Sequence, residues 1–169
     1  MIGPINDADR AAVTAQLGRP PRGVRAVAHR CRCGQPAVVQ TNPRLEGGTP
    51  FPTLYYLTCR RLTAQVSALE AAGVMREMTE RLARDPELAA AYRDAHESYL
   101  AERDALEPLG TNISAGGMPG RVKCLHAHVA HALARGRGVN PFGDEVIAQL
   151  DGWWFPGPCV DPAASTAAS

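Results

Sequence analysis

The sequence predicts an α+β fold, a small antiparallel sheet near the N-terminus packed against several helices, with helix dominating the chain. Three observations carry that prediction. Short runs of β-favouring residues, punctuated by turn residues, fill the first third. Apolar residues then recur at helical spacing from Leu62 onward. There is no internal repeat, and 169 residues suit one domain with a proper core. Residues 1–152 are therefore expected as a single globular α+β domain, and residues 153–169, ending DPAASTAAS, as a mobile tail.

The elements follow in order. Asn6 or Asp7 caps a short helix through Ala11, Val13 and Leu17, which Gly18 and the prolines at 20 and 21 stop. Val24 to Ala28 and Ala37 to Thr41 read as strands joined by the turn Arg32-Cys33-Gly34-Gln35-Pro36, and Leu54 to Thr58 as a third. Asn42 to Pro52, with its prolines and glycines, is too broken for regular structure. Leu62, Val66, Leu69 and Ala72 mark a helix ended by Gly73, and Met75, Met78 and Leu82 carry the pattern on to Asp85. Pro86 suits the first turn of a long helix from Glu87 to Leu106, whose opposite charges, Arg93 and Glu97 for example, suit an exposed face. The chain loosens from Pro108 to Gly120, and a helix over Arg121 to Arg135 follows. Asn140 to Asp144 is a turn that launches a last helix through Ile147 and Leu150, with Asp144 as a capping residue.

Composition excludes several classes. With 45% apolar and 21% charged residues, the chain is neither disordered nor a membrane protein, and no apolar run approaches the roughly 18 residues of a membrane span. The opening MIGPINDADR lacks a secretory pattern, so a cytoplasmic location is expected. Lys and Arg (18) nearly balance Asp and Glu (17), which gives no strong signal for nucleic acid. Five cysteines, an odd number in a chain expected in the cytosol, favour metal binding or free thiols over disulfides.

The stretch RVKCLHAHVAHALARG, Arg121 to Gly136, concentrates the chemistry. On a helix, Val122, Leu125, Val129, Ala132 and Leu133 gather into a core stripe, and Cys124, His128 and His131 share the other side, with His126 nearer the stripe. Residues so spaced project over one patch and can ligate one metal. Remaining ligands would come from Cys31, Cys33 or Cys59 at strand ends. The expected set is Cys31, Cys59, Cys124 and His131, with His128 and His126 as alternates, holding zinc or, with open positions, iron.

A second chemistry shares the stretch. The glycine-rich run before it, with Gly116 and Gly117, together with Arg121 and Lys123, can bind the phosphate or carboxylate of an anionic small molecule at a helix N-terminus. The run lacks the spacing of a phosphate loop. Cys124 in a first helical turn, or a metal-bound water, would be the reactive group, and His126 or His96 would move protons. Trp153, Trp154 and Phe155 read as a hydrophobic latch or a partner surface.

The runs RCRCGQPAVVQTNPRLEGGTPFPTLYYLTC, SAGGMPGRVKCLHAHVAHALA and GVNPFGDE closely resemble an uncharacterised bacterial family, domain of unknown function 501, frequent in actinobacteria. The resemblance covers roughly Gly23 to Leu150. It implies that Cys31, Cys124, His126 and His131 match recurrent positions, that Cys33 and His128 match more variable ones, and that Cys59 stands where some relatives carry histidine. Family members tend to be encoded beside a septum-formation protein and an exopolyphosphatase, which points to envelope or phosphate physiology. Three readings stay open: a metal-binding domain, an enzyme acting on an anionic small molecule, and a non-catalytic interaction module that uses the long charged helix to meet a protein partner.

Overall fold

The computed structural model describes residues 1–165; the last four residues of the expected tail lie outside it. It has the predicted α+β, helix-dominated architecture. The sheet is antiparallel with strands in sequence order, β1 (Gly3–Pro4), β2 (Val24–Arg30), β3 (Pro36–Thr41) and β4 (Tyr55–Leu57). β1 is a two-residue strand pairing with β2 at Gly3↔Val27, too short to leave a periodic signal. Helices α1 (Asp7–Leu17), α2 (Arg60–Ala71), α3 (Val74–Arg84), α4 (Pro86–Leu106), α5 (Leu125–Arg135), α6 (Pro141–Gln149) and α7 (Pro162–Ser165) complete the chain.

Local chemistry explains most boundaries. Asn6 accepts from the Asp9 amide at 2.8 Å while the Asp9 carboxylate accepts from the Asn6 amide at 3.3 Å, a reciprocal cap that starts α1. Gly18, at φ 71°, ends it in the left-handed conformation a side chain would resist. Asp9 also receives both guanidinium nitrogens of Arg30 at 2.7 and 2.8 Å, which pins α1 to β2. Asp85 caps α4 ahead of Pro86, as its sequence requires. Asn140, not Asp144, caps α6, accepting from the Gly143 amide at 3.0 Å.

Every residue of β3 is buried because both of its faces are covered. Val39 packs with Val13 of α1 and with Val24 on one side. Ala37 and Val38 belong to the main core, where Leu125 and Val129 of α5 are fully buried, each contributing about 1.5–3 kcal/mol of apolar burial. Residues 153–160, within the expected tail, run against the domain. Trp153 is buried, Arg32 lies over the Trp154 ring at 4.2 Å, and Arg61 donates to the carbonyls of Phe155, Gly157 and Pro158. No helix among the described residues is long and apolar enough to cross a membrane.

α5 is held from behind by α6, and the approach is close enough to need a glycine. A Cβ on Gly143 would lie 2.3 Å from the His128 carbonyl oxygen and 2.7 Å from Ala132 Cβ. Gly143→Ala is expected to force the two helices apart and cost about 1–3 kcal/mol, read as a lower midpoint in urea unfolding; an unchanged midpoint would mean that α6 yields freely.

Candidate functional site

The segment before α5 decides where its chemistry points. The sequence expects a helix from Arg121, but helix begins only at Leu125. Hydrogen bonds to other elements hold the backbone ahead of that point. The Tyr92 hydroxyl donates to the Arg121 carbonyl at 2.9 Å, the Val122 amide donates to Thr79 Oγ1 at 2.9 Å, and the Lys123 amide donates to the Gly116 carbonyl at 2.7 Å. Cys124 is thereby the residue preceding the helix, extended at φ −152° and ψ 108°, and its side chain leaves the helical register.

This inverts the predicted faces. Cys124 lies beside His126, with Sγ 4.0 Å from Nδ1. His128 and His131, expected beside Cys124, are fully buried in the core. His128 accepts at Nδ1 from the Asn140 amide at 3.2 Å, and its Nε2 lies 2.9 Å from the Tyr92 hydroxyl and 3.2 Å from the Gly116 carbonyl. His131 lies nearly parallel to the Tyr55 ring, with Nε2 3.9 Å from Glu102 and without a hydrogen-bond partner.

The third member of the Cys124 group comes from α2. Glu70 Oε1 accepts from the Leu125 amide at 2.7 Å and lies 3.1 Å from His126 Nδ1. The ligand atoms of Glu70, Cys124 and His126 all lie within 4.8 Å of one another, the one such group among the described residues. The far nitrogen of the ring, Nε2, meets the Thr63 carbonyl at 3.3 Å and Ser67 Oγ at 3.1 Å. A carbonyl only accepts, so Nε2 carries the hydrogen, and in the neutral ring Nδ1 presents a lone pair to the thiol and the carboxylate. With the thiol ionised, three electron-pair donors then face one point. A proton on Nδ1 relieves that arrangement, and the Cys124 sulfur, with Glu70 behind it, raises the His126 pKa to about 9 against the effect of burial. The group is half-buried and borders a cavity of about 370 Å³ lined by Thr53, Tyr55, Leu57 and Gly116 among others.

Sequence reasoning missed Glu70, although a signal was present. Leu62, Val66, Leu69 and Glu70 fall on one stripe of α2, and a carboxylate among core-facing positions is out of place unless something pairs with it. Thr63, Ser67 and Glu70 form the neighbouring row that receives His126.

The expected four-residue metal set does not assemble. Cys59 immediately precedes α2, whereas Glu70 is near its far end, about 16 Å along the axis at 1.5 Å per residue. Cys124 stands at Glu70. His131 is inside the core, and Cys31 and Cys59 are buried outside the Glu70–Cys124–His126 group. The anion-binding residues are also arranged differently from the expectation. The leading amide of α5 already serves the Glu70 carboxylate, so the chain supplies its own anion there. Gly116, at φ +64°, allows close packing, since a Cβ there would lie 2.6 Å from His128 Cε1. The Arg121 and Lys123 side chains are exposed. His96, a candidate proton carrier, is buried with Nδ1 2.7 Å from Ser114 Oγ, and burial lowers its pKa.

The buried imidazole of His128 makes a pH prediction. Desolvation lowers its pKa to about 4 from 6.5. The folded state therefore holds it neutral, while the unfolded chain takes up a proton below pH 6.5. Its contribution is fully present above pH 6.5 and is lost as pH falls towards 4, a change of about 3 kcal/mol. Urea unfolding between pH 7 and 4.5 should show this acid limb, and His128→Asn should flatten it. An equal slope in both proteins would contradict the assignment.

Among curated proteins and among solved structures, none matches this chain. A family described as "Protein of unknown function (DUF501)" matches residues 27–148, which hold the sheet from β2 onward, helices α2 to α5, nearly all of α6, and all three members of the Glu70–Cys124–His126 group. The match spans well over half of the sequence, and the chain belongs to the DUF501 family.

Proposed function

We propose that the chain is a metal-binding protein in which Glu70, Cys124 and His126 hold one divalent transition-metal ion, zinc by preference and iron as the alternative. One observation carries this reading: three donor atoms converge within 4.8 Å while the remaining ring nitrogen of His126 is spent on the Thr63 carbonyl. A metal-ligating histidine usually gives its second N–H to a carbonyl or carboxylate, which fixes the ring and aims the free lone pair. Mixed thiolate, imidazole and carboxylate donors suit zinc, and a three-ligand set leaves a position towards the cavity for water or an anionic small molecule.

The same geometry argues against a cysteine nucleophile activated by a histidine relay. Such a relay needs sulfur at one ring nitrogen and the orienting carboxylate at the other. Here both face Nδ1. The half-buried sulfur and the adjoining cavity still make the site a place for chemistry, with Cys124, Glu70 and His126 as the residues that would carry it.

The test is zinc titration of untagged protein against a chromophoric chelator. Loss of an outer partner of a metal ligand costs about 10–100-fold in affinity, so Ser67→Ala is expected to weaken binding about tenfold. Cys124→Ser and His126→Ala are expected to weaken it by roughly 100-fold or more, with circular dichroism confirming that each variant folds. Zinc should also protect Cys124 from iodoacetamide. Identical zinc affinity in all four proteins would refute the proposal. Rapid alkylation of Cys124 that zinc leaves untouched and His126→Ala slows would make the pair a nucleophile instead.

A further inference from the structure

We propose that the cavity between the end of α1 and the loop after β3 binds a small amphiphilic carboxylate, its apolar body on the sheet and its head at Arg19 and Arg22. The cavity measures about 390 Å³, within the range that small-molecule sites occupy. Its floor is Val24 of β2 and Val39 of β3, which belong to a satellite cluster with Val13 and Leu17 of α1. α1 stops at Leu17, and Gly18 takes the chain away in its left-handed turn. The walls are Leu45, Phe51 and Tyr56, and Tyr56 is 40% exposed. Apolar side chains from the helix, the sheet and the loop thus face a hollow.

The hollow is built by local chemistry. Asn42 to Pro52 lacks regular structure, yet its backbone closes on itself. The Leu45 amide donates to the Thr49 carbonyl at 2.9 Å, the Gly48 amide to the Leu45 carbonyl at 3.0 Å, and the Phe51 amide to the Pro43 carbonyl at 2.6 Å. The Asn42 amide, donating to the Gly23 carbonyl at 2.7 Å, ties this loop to the segment that carries the arginines. Gly23, at φ +62°, lets Leu45 lie close, since a Cβ there would meet Leu45 Cδ2 at 2.9 Å. A ligand therefore meets walls already in place and need not order them.

Charge selects the head. Arg19 and Arg22 line the cavity and are exposed, and among the described residues neither has a hydrogen-bond or ion-pair partner. Arg30, Arg44, Arg81, Arg103 and Arg135, by contrast, each lie against a carboxylate. No acid lines the cavity; Glu46 stands in the adjoining hollow, which Arg22 also borders. Two guanidinium groups against one carboxylate leave a single positive charge, the complement of one carboxylate head. A phosphate monoester, carrying roughly −1.5 to −2, overshoots that balance. A small polar anion leaves the apolar walls wet, and a hydrocarbon leaves the arginines unanswered. An amphiphilic acid satisfies both, and the forked N–H donors of arginine take a carboxylate in paired hydrogen bonds.

Calorimetric titration of the full chain with octanoate, and with octanol as its uncharged counterpart, tests the site. Octanoate is expected to bind one to one, and octanol about tenfold more weakly. Arg19→Gln and Arg22→Gln, at exposed positions that tolerate the change, should each weaken octanoate roughly three- to tenfold and leave octanol unaltered. Arg25→Gln, exposed on β2 but away from the cavity lining, should change neither. Tyr56 also borders the cavity beside Cys124 and His126, so His126→Ala locates the ligand: octanoate affinity should survive it. No octanoate binding, equal affinity for octanol, or indifference to both arginine variants would each overturn the proposal. Loss of binding in His126→Ala would move the ligand to the Glu70 group, and binding to anionic vesicles without octanoate binding would make the arginines a membrane contact instead.

Discussion

Three hydrogen bonds on the backbone of residues 121–123 hold the chain extended up to Cys124, and the chemistry of the molecule follows from that restraint. Tyr92, Thr79 and the Gly116 carbonyl come from α4, α3 and the glycine-rich loop, so three separate elements agree on where α5 begins. If the helix extended back to Arg121, Cys124 would lie inside it, in register with His128. Because helix starts at Leu125, the sulfur swings to His126 and the leading amide of α5 is free to receive Glu70. A carboxylate at a helix N-terminus is favourable by roughly 0.3–1 kcal/mol, and here it also places an oxygen 3.1 Å from His126 Nδ1.

The histidines of α5 divide according to what water they see. His128 and His131 have none, and burial keeps His128 neutral, hydrogen-bonded through Asn140, Tyr92 and Gly116. His126 is half-buried and looks across at a sulfur and a carboxylate, so it favours a positive charge. Two residues along one helix thus have proton affinities pushed in opposite directions by solvent access and neighbours alone. Glu102, deeper in the core, has its pKa raised by burial but lowered further by His131, Tyr55 and Ser98, so it stays ionised and holds α4 against β4 through the Tyr55 hydroxyl at 2.5 Å.

Much of the fold was legible because local signals and tertiary packing agree there. Asn6 and Gly18 bound α1, Gly73 divides α2 from α3, and Pro86 opens α4, each through its own backbone chemistry. The site was half legible. Cys124 stood out as a candidate, but the choice of its histidine turned on a helix boundary, and that boundary is set by Tyr92 and Thr79, some 30 and 45 residues away in sequence. Helical periodicity cannot see such partners. His126 was set apart because the apolar stripe was drawn through a helix one turn too long. Glu70 left its trace as a charge at the edge of an apolar stripe.

α2 carries one member of the Glu70–Cys124–His126 group and receives another. Its N-terminal end follows the buried Cys59, while Thr63, Ser67 and Glu70 along its side receive His126. A packed helix does not stretch, so the spacing of the three groups that meet the ring is fixed by the rise of one element. The burial of Leu62 and Val66 keeps that element in place, and both residues belong to the main core with β4 and α5. The geometry of the group is therefore a property of core packing: a cavity opened beneath Val66 would loosen the Glu70–His126 contact, although it does not contain Val66.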